Sequence, residues 1–323
     1  MSSPETTSAG SHANRSAAQS DRGTQPSRFL ELSRLAALQN MRFSTRHRIE
    51  GSYSGKHTSR TLGGSGEFAD YREYTPGEDL RRLDWRVLAR TGRAYVKLFQ
   101  DETNLVCTPV LDASASMQFG AASATDFTGS KLEYAQYFVT ALSHLVSFNR
   151  DQVGLAIAQE SLTEYLSPGG TPAHVSLVHE KLANTVASGA AKWDVVMGDL
   201  FQRSSRRGVM LLISDFLADD LEKMFSSIRL FRHSGWEVIA MHLVHPDEER
   251  LPTGTAFRFE GMEGEGSISC SPTEVREIYE ANFARHMSTV RSMALSAGCD
   301  YHLVSTAIPY LQTLSGFLVE RTG

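Results

Sequence analysis

Five oxygen-bearing side chains in three short segments have the types that bind a hard divalent cation. Asp112, Ser114 and Ser116 fall in LDASASM, Thr171 follows a pair of glycines in GGTP, and Asp215 falls in LLISDF. Such ions prefer oxygen ligands in near-octahedral geometry, and the set offers two carboxylates and three hydroxyls with no softer atom. The sequence therefore predicts a Mg2+ or Mn2+ site formed by these five residues.

Both carboxylates are predicted at the ends of buried strands. LVCTPVLD and GVMLLISD are short apolar runs that end in Asp112 and Asp215. In an open α/β sheet, ligands bind at the carboxyl ends of the strands. The Asp-x-Ser-x-Ser spacing lets alternate side chains turn toward one point, and the glycine pair permits a tight turn before Thr171. The alternative is that Asp112 only caps the segment that follows it, which is the usual role of an aspartate at a strand end.

Strand and helix patterns alternate along the chain and predict an α/β fold with a doubly wound, mostly parallel sheet. The predicted strands are AYVKLFQ, NLVCTPVL, QVGLAIA, GVMLLIS, WEVIAMHLV and YHLVS. Apolar faces at helical spacing lie in 132–146, 177–186, 221–231 and about 273–297, the last ending before Gly298, a natural C-cap. Residues from about 246 to 271 are predicted to form a loop or a small hairpin.

Two parts of the sequence resemble known families. The Asp112-to-Ser116 run, Thr171 and Asp215 resemble the metal-ion-dependent adhesion site of von Willebrand factor A domains, and the likeness spans about residues 104–323. The upstream block EFADYREYTPGEDLRRLDWRVLARTGRAYVKLFQDE is similar to the signature of a bacterial family called domain of unknown function 58. The family pattern falls on Arg72, Tyr74, Gly77, Asp79, Arg81 and Trp85, although many members have Gly-Asp where this chain has Gly-Glu-Asp.

The resemblance implies a fold, a way of binding and a partner. Members of the family carry a Rossmann-type, von Willebrand factor A-like domain and are often encoded beside MoxR-type AAA+ ATPases. In A domains the ion keeps one coordination position open, which an acidic residue of the partner fills. By this resemblance the chain is expected to be a partner of a MoxR-type ATPase in protein maturation or complex assembly.

The chain is expected to divide into three parts. Residues 1–26 are rich in small polar residues and are predicted to form a disordered tail. Residues 27–103 are predicted to form a small N-terminal module that carries the family signature, with a short amphipathic helix from Arg28 to about Met41. Residues 104–323 are predicted to form the A-like domain.

The charged and aromatic residues of the signature have two interpretations. Arg72, Asp79, Arg81 and Asp84 can form a salt-bridged seam between the module and the sheet, with Tyr74 and Trp85 packed beneath it. The same residue types would also suit a contact surface for the ATPase. The sequence does not separate these two interpretations.

Composition indicates a protein of the cytoplasm. The 323 residues carry a net charge of −5, which gives no reason to expect a nucleic-acid partner. The three cysteines are odd in number and lack a Cys-x-x-Cys spacing, so a disulfide framework or zinc cluster is not expected. No apolar run approaches the length of a membrane span, and the N-terminus has no signal-peptide pattern.

An enzyme is the less favoured hypothesis. Two carboxylates around Mg2+ also occur in phosphoryl-transfer enzymes, but LDASASM lacks a second aspartate, and TGSKLE lacks the glycine loop of a P-loop ATPase. Among the histidines, only His245 lies just past a strand end, where it could approach the site. We therefore expect a non-enzymatic, metal-dependent protein-binding adaptor. The alternative is a structural module in which a degenerate or closed metal site only holds its own loops.

Overall fold

The computed structural model describes most of the chain in ten segments, which are 28–39, 41–45, 67–76, 80, 83–100, 105–120, 129–204, 207–254, 256–264 and 266–322. The helices in these segments are α1 (Leu32–Leu35), α2 (Trp85–Thr91), α3 (Lys131–Phe148), α4 (Pro172–Asn184), α5 (Trp193–Arg203), α6 (Leu221–His233), α7 (Pro246–Glu249), α8 (Pro272–Ser296) and α9 (Tyr310–Thr322). The strands are β1 (Glu67–Glu73), β2 (Tyr95–Gln100), β3 (Val106–Asp112), β4 (Gln152–Ala158), β5 (Leu162–Gly169), β6 (Val209–Ser214), β7 (Glu237–Val244), β8 (Phe257–Glu260), β9 (Ser267–Cys270) and β10 (Asp300–Ser305).

A six-stranded sheet with the order β10-β7-β6-β3-β4-β5 forms the centre of the molecule. Neighbouring strands are parallel except for β5, which runs antiparallel to β4 at one edge. Chain order runs outward in both directions from the β3–β6 pair, which is therefore the topological switch point of the sheet. Ligands of doubly wound sheets bind in the crevice at the carboxyl ends of such a pair.

Helices cover both faces of this sheet and divide its core into two layers. One layer packs α3, α4 and α9 against strand residues such as Leu111 and Ile213. The other packs α5, α6 and α8 against residues such as Val110 and Leu212. Because successive strand side chains point to opposite faces, a run such as VMLLIS supplies both layers and is buried along its whole length. The predicted mixed α/β fold with a mostly parallel sheet is confirmed.

The six predicted strands and the four predicted helical faces all correspond to observed elements, and two small strands, β8 and β9, form the predicted hairpin. The chain reverses after α8 at Gly298, whose φ of +76° is the left-handed conformation expected of a glycine C-cap. The sequence patterns missed the strands β1 and β5 and the helices α2, α5, α7 and α9. No helix in the described segments combines the length and apolar character needed to cross a membrane.

Residues 28–45 pack into the main core rather than into a module of their own. Phe29, Leu35 and Phe43 are buried, and Phe43 stacks on Phe317 of α9 with ring centroids 5.8 Å apart. The predicted boundary between residues 27–103 and the A-like domain therefore does not separate this segment from the domain core. The predicted tail over 1–26 lies outside the described residues.

A buried arginine ties this segment to the amino-terminal edge of the sheet. Arg321 of α9 contacts Glu237 at the start of β7 and donates to Asp300 at the start of β10 over 3.1 Å. Its Nε also donates to the Ser44 carbonyl over 2.8 Å. The guanidinium fork thus binds two carboxylates and one carbonyl at this edge.

Replacing this arginine should destabilise the fold strongly. Arg321→Ala removes the guanidinium that pairs with the buried Glu237, and removing one partner of a buried pair costs about 3–5 kcal/mol. We expect denaturant unfolding to show that loss of stability for Arg321→Ala. The stability of Arg321→Lys should lie between those of the wild type and Arg321→Ala. Arg285→Ala, an exposed arginine on α8, is the control and should change stability by less than about 0.5 kcal/mol. Equal effects of the two alanine variants would contradict the role given to Arg321.

Candidate functional site

The predicted aspartate of the serine motif ends β3 and is held at the switch point. Asp112 is 2% exposed; its Oδ1 accepts from the Ser114 amide over 2.9 Å, and its Oδ2 accepts from the Ser214 hydroxyl over 2.5 Å. Ser214 is the last residue of β6, the neighbouring strand. In the described part of the chain, Asp112 has no lysine or arginine partner.

Ser114 and Ser116 lie together in a tight turn directly after β3. Their hydroxyl oxygens are 3.0 Å apart, and both residues are buried. The loop is fastened by the segment before α5, because Ser188 donates its amide to the Ala113 carbonyl and Ala115 donates its amide to the Gly189 carbonyl. The predicted convergence of Asp112, Ser114 and Ser116 is therefore present at this edge of the sheet.

Asp215 lies at the same edge, but a lysine occupies one side of its carboxylate. Lys131, the first residue of α3, is fully buried, and its Nζ donates to Asp215 Oδ2 over 2.7 Å. The same ammonium contacts the Glu248 carboxylate of α7. Glu248 is oriented by its own helix, since its Oε2 accepts from the His245 amide over 2.8 Å. An ammonium thus bridges two carboxylates next to the serine loop.

The electrostatic environment of Asp112 differs from that of Asp215 and its partner Lys131. Burial, followed by the nearby charge of Asp215, raises the pKa of Asp112 to about 7, although hydrogen bonds from Ser214 and Ser114 lower it. Burial disfavours the charge of Lys131, yet Asp215 and Glu248 outweigh it and raise the pKa of the lysine. The lysine therefore compensates Asp215 and Glu248, and Asp112 remains a buried acid beside an excess of negative charge.

Thr171 does not belong to this cluster, and its predicted role as a ligand is wrong. Because β5 is antiparallel, it returns the chain to the amino-terminal edge, where Gly169 pairs with Val153. Val153 in turn pairs with Cys107, which precedes Asp112 by five strand residues or about 17 Å. There Thr171 is exposed, and its hydroxyl caps α4 by accepting from the His174 amide.

The signature residues are only partly placed by the structure. Asp84 caps α2 by accepting from the Arg86 and Val87 amides, and it accepts from the Tyr71 hydroxyl over 3.0 Å. Trp85, the first residue of α2, is 59% exposed rather than packed beneath a seam. Arg72 is exposed and Tyr74 is half-buried. The predicted seam residues Asp79 and Arg81 lie outside the described segments.

Three residues of the site were not predicted, namely Lys131, Ser214 and Glu248. Lys131 had a signal in the sequence: it follows the cap residue Ser130, and a cation at a helix N-terminus opposes the helix dipole. Such a lysine is unfavourable there unless acids compensate it. Glu248 also had a signal, since His-Pro-Asp-Glu after a strand forms the capping box that opens α7. His245, which was considered as a neighbour of the site, is buried at this edge.

The donor set fits a hard cation on the Asp112 side only. In the segments that the structure describes, no three His, Cys, Asp or Glu side chains are grouped to hold a metal ion. Of the five predicted ligands, Thr171 lies at the other edge and Asp215 is paired with Lys131. This leaves the buried carboxylate of Asp112 and the two serine hydroxyls as oxygen donors. Mg2+ commonly binds through one or two carboxylates and retains several waters, so these three residues suit it while Asp215 stays beside Lys131.

The strand order and this cluster define a doubly wound α/β domain with a buried acidic and hydroxyl-bearing site at its switch point. A family model described as "Protein of unknown function DUF58" matches residues 70–289. The chain therefore belongs to the DUF58 family, as the sequence resemblance predicted.

The chain is also similar to curated proteins and to solved structures. The uncharacterized proteins Mb1516 of Mycobacterium bovis and Rv1480 of Mycobacterium tuberculosis are each 29% identical over 226 residues, or 67% of this chain and 67% of the relative. The structure of BatB from Bacteroides thetaiotaomicron is 14% identical, covers 68% of this chain and 99% of its own, and has a TM-score of 0.47. Such a TM-score is too low to support a further argument.

The buried lysine should be essential for stability. Lys131→Ala leaves the buried Asp215 and the half-buried Glu248 without the ammonium that they share, and should cost about 3–5 kcal/mol in denaturant unfolding. Lys181→Ala is the matched control, because Lys181 pairs with Glu164 at the surface over 2.7 Å and such pairs contribute about 1 kcal/mol or less. A Lys131 variant as stable as the control would show that the ammonium does not compensate the two acids.

Proposed function

We propose that this chain is a non-enzymatic adaptor that binds another protein at the carboxyl edge of its sheet in the presence of Mg2+ or Mn2+. Asp112, Ser114 and Ser116 would hold the ion, with Asp215 beside them. The observation that carries this proposal is the convergence of a buried carboxylate and two hydroxyls at the switch point. When bound, the ion supplies a positive charge that can accept an acidic residue of the partner.

The sheet order supports a von Willebrand factor A-like, Rossmann-type domain as the framework of this proposal. The serine motif follows the central strand β3, and Asp215 follows β6, the strand across the switch point. This placement matches what the resemblance implies for four of the five predicted residues. The exclusion of Thr171 leaves one position of the donor set to water or to another ligand.

The hydrogen bonds around the cluster favour binding over catalysis. The hydroxyls of Ser114 and Ser116 pair with each other, and both oxygens of Asp112 accept hydrogen bonds. A nucleophilic serine is usually activated by a histidine, whereas here the hydrogen bonds of the two hydroxyls join them to each other and to Asp112. The arrangement therefore lends little support to a metal-dependent phosphohydrolase.

A closed structural site is the second candidate, and Lys131 is the observation that favours it. Its ammonium already bridges Asp215 and Glu248, so this side of the cluster holds its loops together without a metal ion. The two candidates differ in their consequences. A closed site changes stability only, whereas a binding site makes partner capture depend on the ion.

A MoxR-type AAA+ ATPase is the partner that we propose, and the cytoplasm is the proposed location. The proposed partner and the proposed location both follow from the family resemblance. The exposed Trp85 and Arg72 of the signature block support its use as a contact surface for that ATPase, since tryptophan and arginine are enriched among the residues that contribute most to binding. The three cysteines are free thiols, which agrees with a reducing compartment.

Calorimetric titration of Mg2+ tests the cation site. We expect saturable binding to the wild type and none to Asp112→Ala, because Asp112 supplies the buried carboxylate of the proposed donor set. Asp194→Ala, which removes an exposed aspartate of α5, is the matched control and should bind like the wild type. Circular dichroism would check that each variant is folded. Unchanged binding by Asp112→Ala would place the ion elsewhere.

Affinity capture tests the adaptor role. Tagged wild type in native extract with Mg2+ should enrich an AAA+ ATPase, identified by mass spectrometry, and EDTA or Asp112→Ala should abolish the enrichment. Trp85→Ala should reduce capture while leaving Mg2+ binding intact, since the signature surface and the cation site act separately. If no AAA+ protein is enriched with or without nucleotide, the proposed partner is wrong.

A further inference from the structure

An exposed hairpin reaches back to the candidate cation site. The strands β8 and β9 are inserted between α7 and α8, and the described residues from 256 to 270 are exposed except for Phe259, Glu263 and Cys270. The base of the hairpin is fastened to α8, because Arg276 donates to the Pro252 carbonyl over 3.3 Å. The hairpin is thus held at its base and projects a short tip.

The tip places one acidic side chain against the serine loop. The amide of Gly261 donates to the Gly266 carbonyl over 2.7 Å and closes a turn, and Gly266 takes a φ of +95° that favours glycine. Within this turn, Glu263 Oε1 accepts from the Ser116 amide over 3.4 Å. The carboxylate therefore lies one hydrogen bond from the residue whose hydroxyl is paired with Ser114.

A cation at the serine loop would strengthen this contact. In the described part of the chain, the buried Asp112 has no lysine or arginine partner, and the ammonium of Lys131 is engaged by Asp215 and Glu248. A further carboxylate at the serine loop adds like charge to this edge. A divalent cation among Asp112, Ser114 and Ser116 would reverse the sign of that interaction, and oxygen donors are what such an ion binds.

We propose that Glu263 is a ligand that the chain itself carries: it supplies its carboxylate to the bound cation and closes the hairpin over the site. This inference rests on the proposed function, in which the same position is filled by an acidic residue of a partner. A partner must then displace Glu263, so the hairpin regulates access to the site.

Hydrogen exchange and calorimetry together test this inference. The wild type, Glu263→Gln and Glu260→Gln are compared with Mg2+ and with EDTA. Glu260 lies on the same hairpin, where it is exposed and pairs with Arg258 over 3.4 Å, so it is the matched control. We expect Mg2+ to protect the amides of residues 257–270 in the wild type and in the control, and to leave them unprotected in Glu263→Gln.

The same variant should bind Mg2+ more weakly by about tenfold or more, since even residues one shell removed from a metal ion contribute that much to its affinity. Wild-type Mg2+ affinity in Glu263→Gln, with hairpin exchange insensitive to Mg2+ in all three proteins, would overturn this inference and leave the proposed cation site intact. If the wild type bound no Mg2+ at all, the proposed function would fail and the inference with it.

Discussion

Two carboxylates buried at the ends of neighbouring parallel strands set the main constraint on this fold. Asp112 ends β3 and Asp215 follows β6, and strands in a sheet lie only about 5 Å apart. Each acid is almost fully buried, so neither charge can rely on water for compensation. The surrounding elements have to supply donors and a cation at this edge, and their positions follow from that requirement.

Several elements meet this requirement through one connected set of contacts. The loop after β3 supplies the Ser114 amide, β6 supplies the Ser214 hydroxyl, and α3 begins with Lys131 pointing at Asp215. The lysine in turn requires Glu248, which fixes α7, and the Tyr279 hydroxyl of α8 donates to the Glu248 carbonyl over 2.6 Å. The long helix α8 is thus linked to the switch point through α7 and α3.

The sequence alone predicts the parts of this arrangement that depend on local pattern. Apolar runs predicted the central strands, and Asp-x-Ser-x-Ser after such a run predicted three of the donors. Thr171 was misplaced because an apolar pattern does not encode strand direction, and the antiparallel β5 carries it to the other edge. Lys131 and Glu248 each have a local signal, but their role was missed because Lys131 contacts Asp215 and Glu248 across 84 and 117 residues, and no short motif records such contacts.

The two edges of the sheet carry comparable ionic clusters with different consequences. At the amino-terminal edge one guanidinium, Arg321, serves Glu237 and Asp300. At the carboxyl edge one ammonium, Lys131, pairs with Asp215 and Glu248. Each of these clusters therefore has one cation for two carboxylates. The difference is Asp112, a further buried acid whose hydrogen bonds within the described segments come from neutral donors. Neutral donors stabilise a carboxylate without cancelling its charge, so the carboxyl edge retains a demand for positive charge that the amino-terminal edge lacks. That unmet demand, more than the motif itself, is the physical reason to look for a cation at this edge.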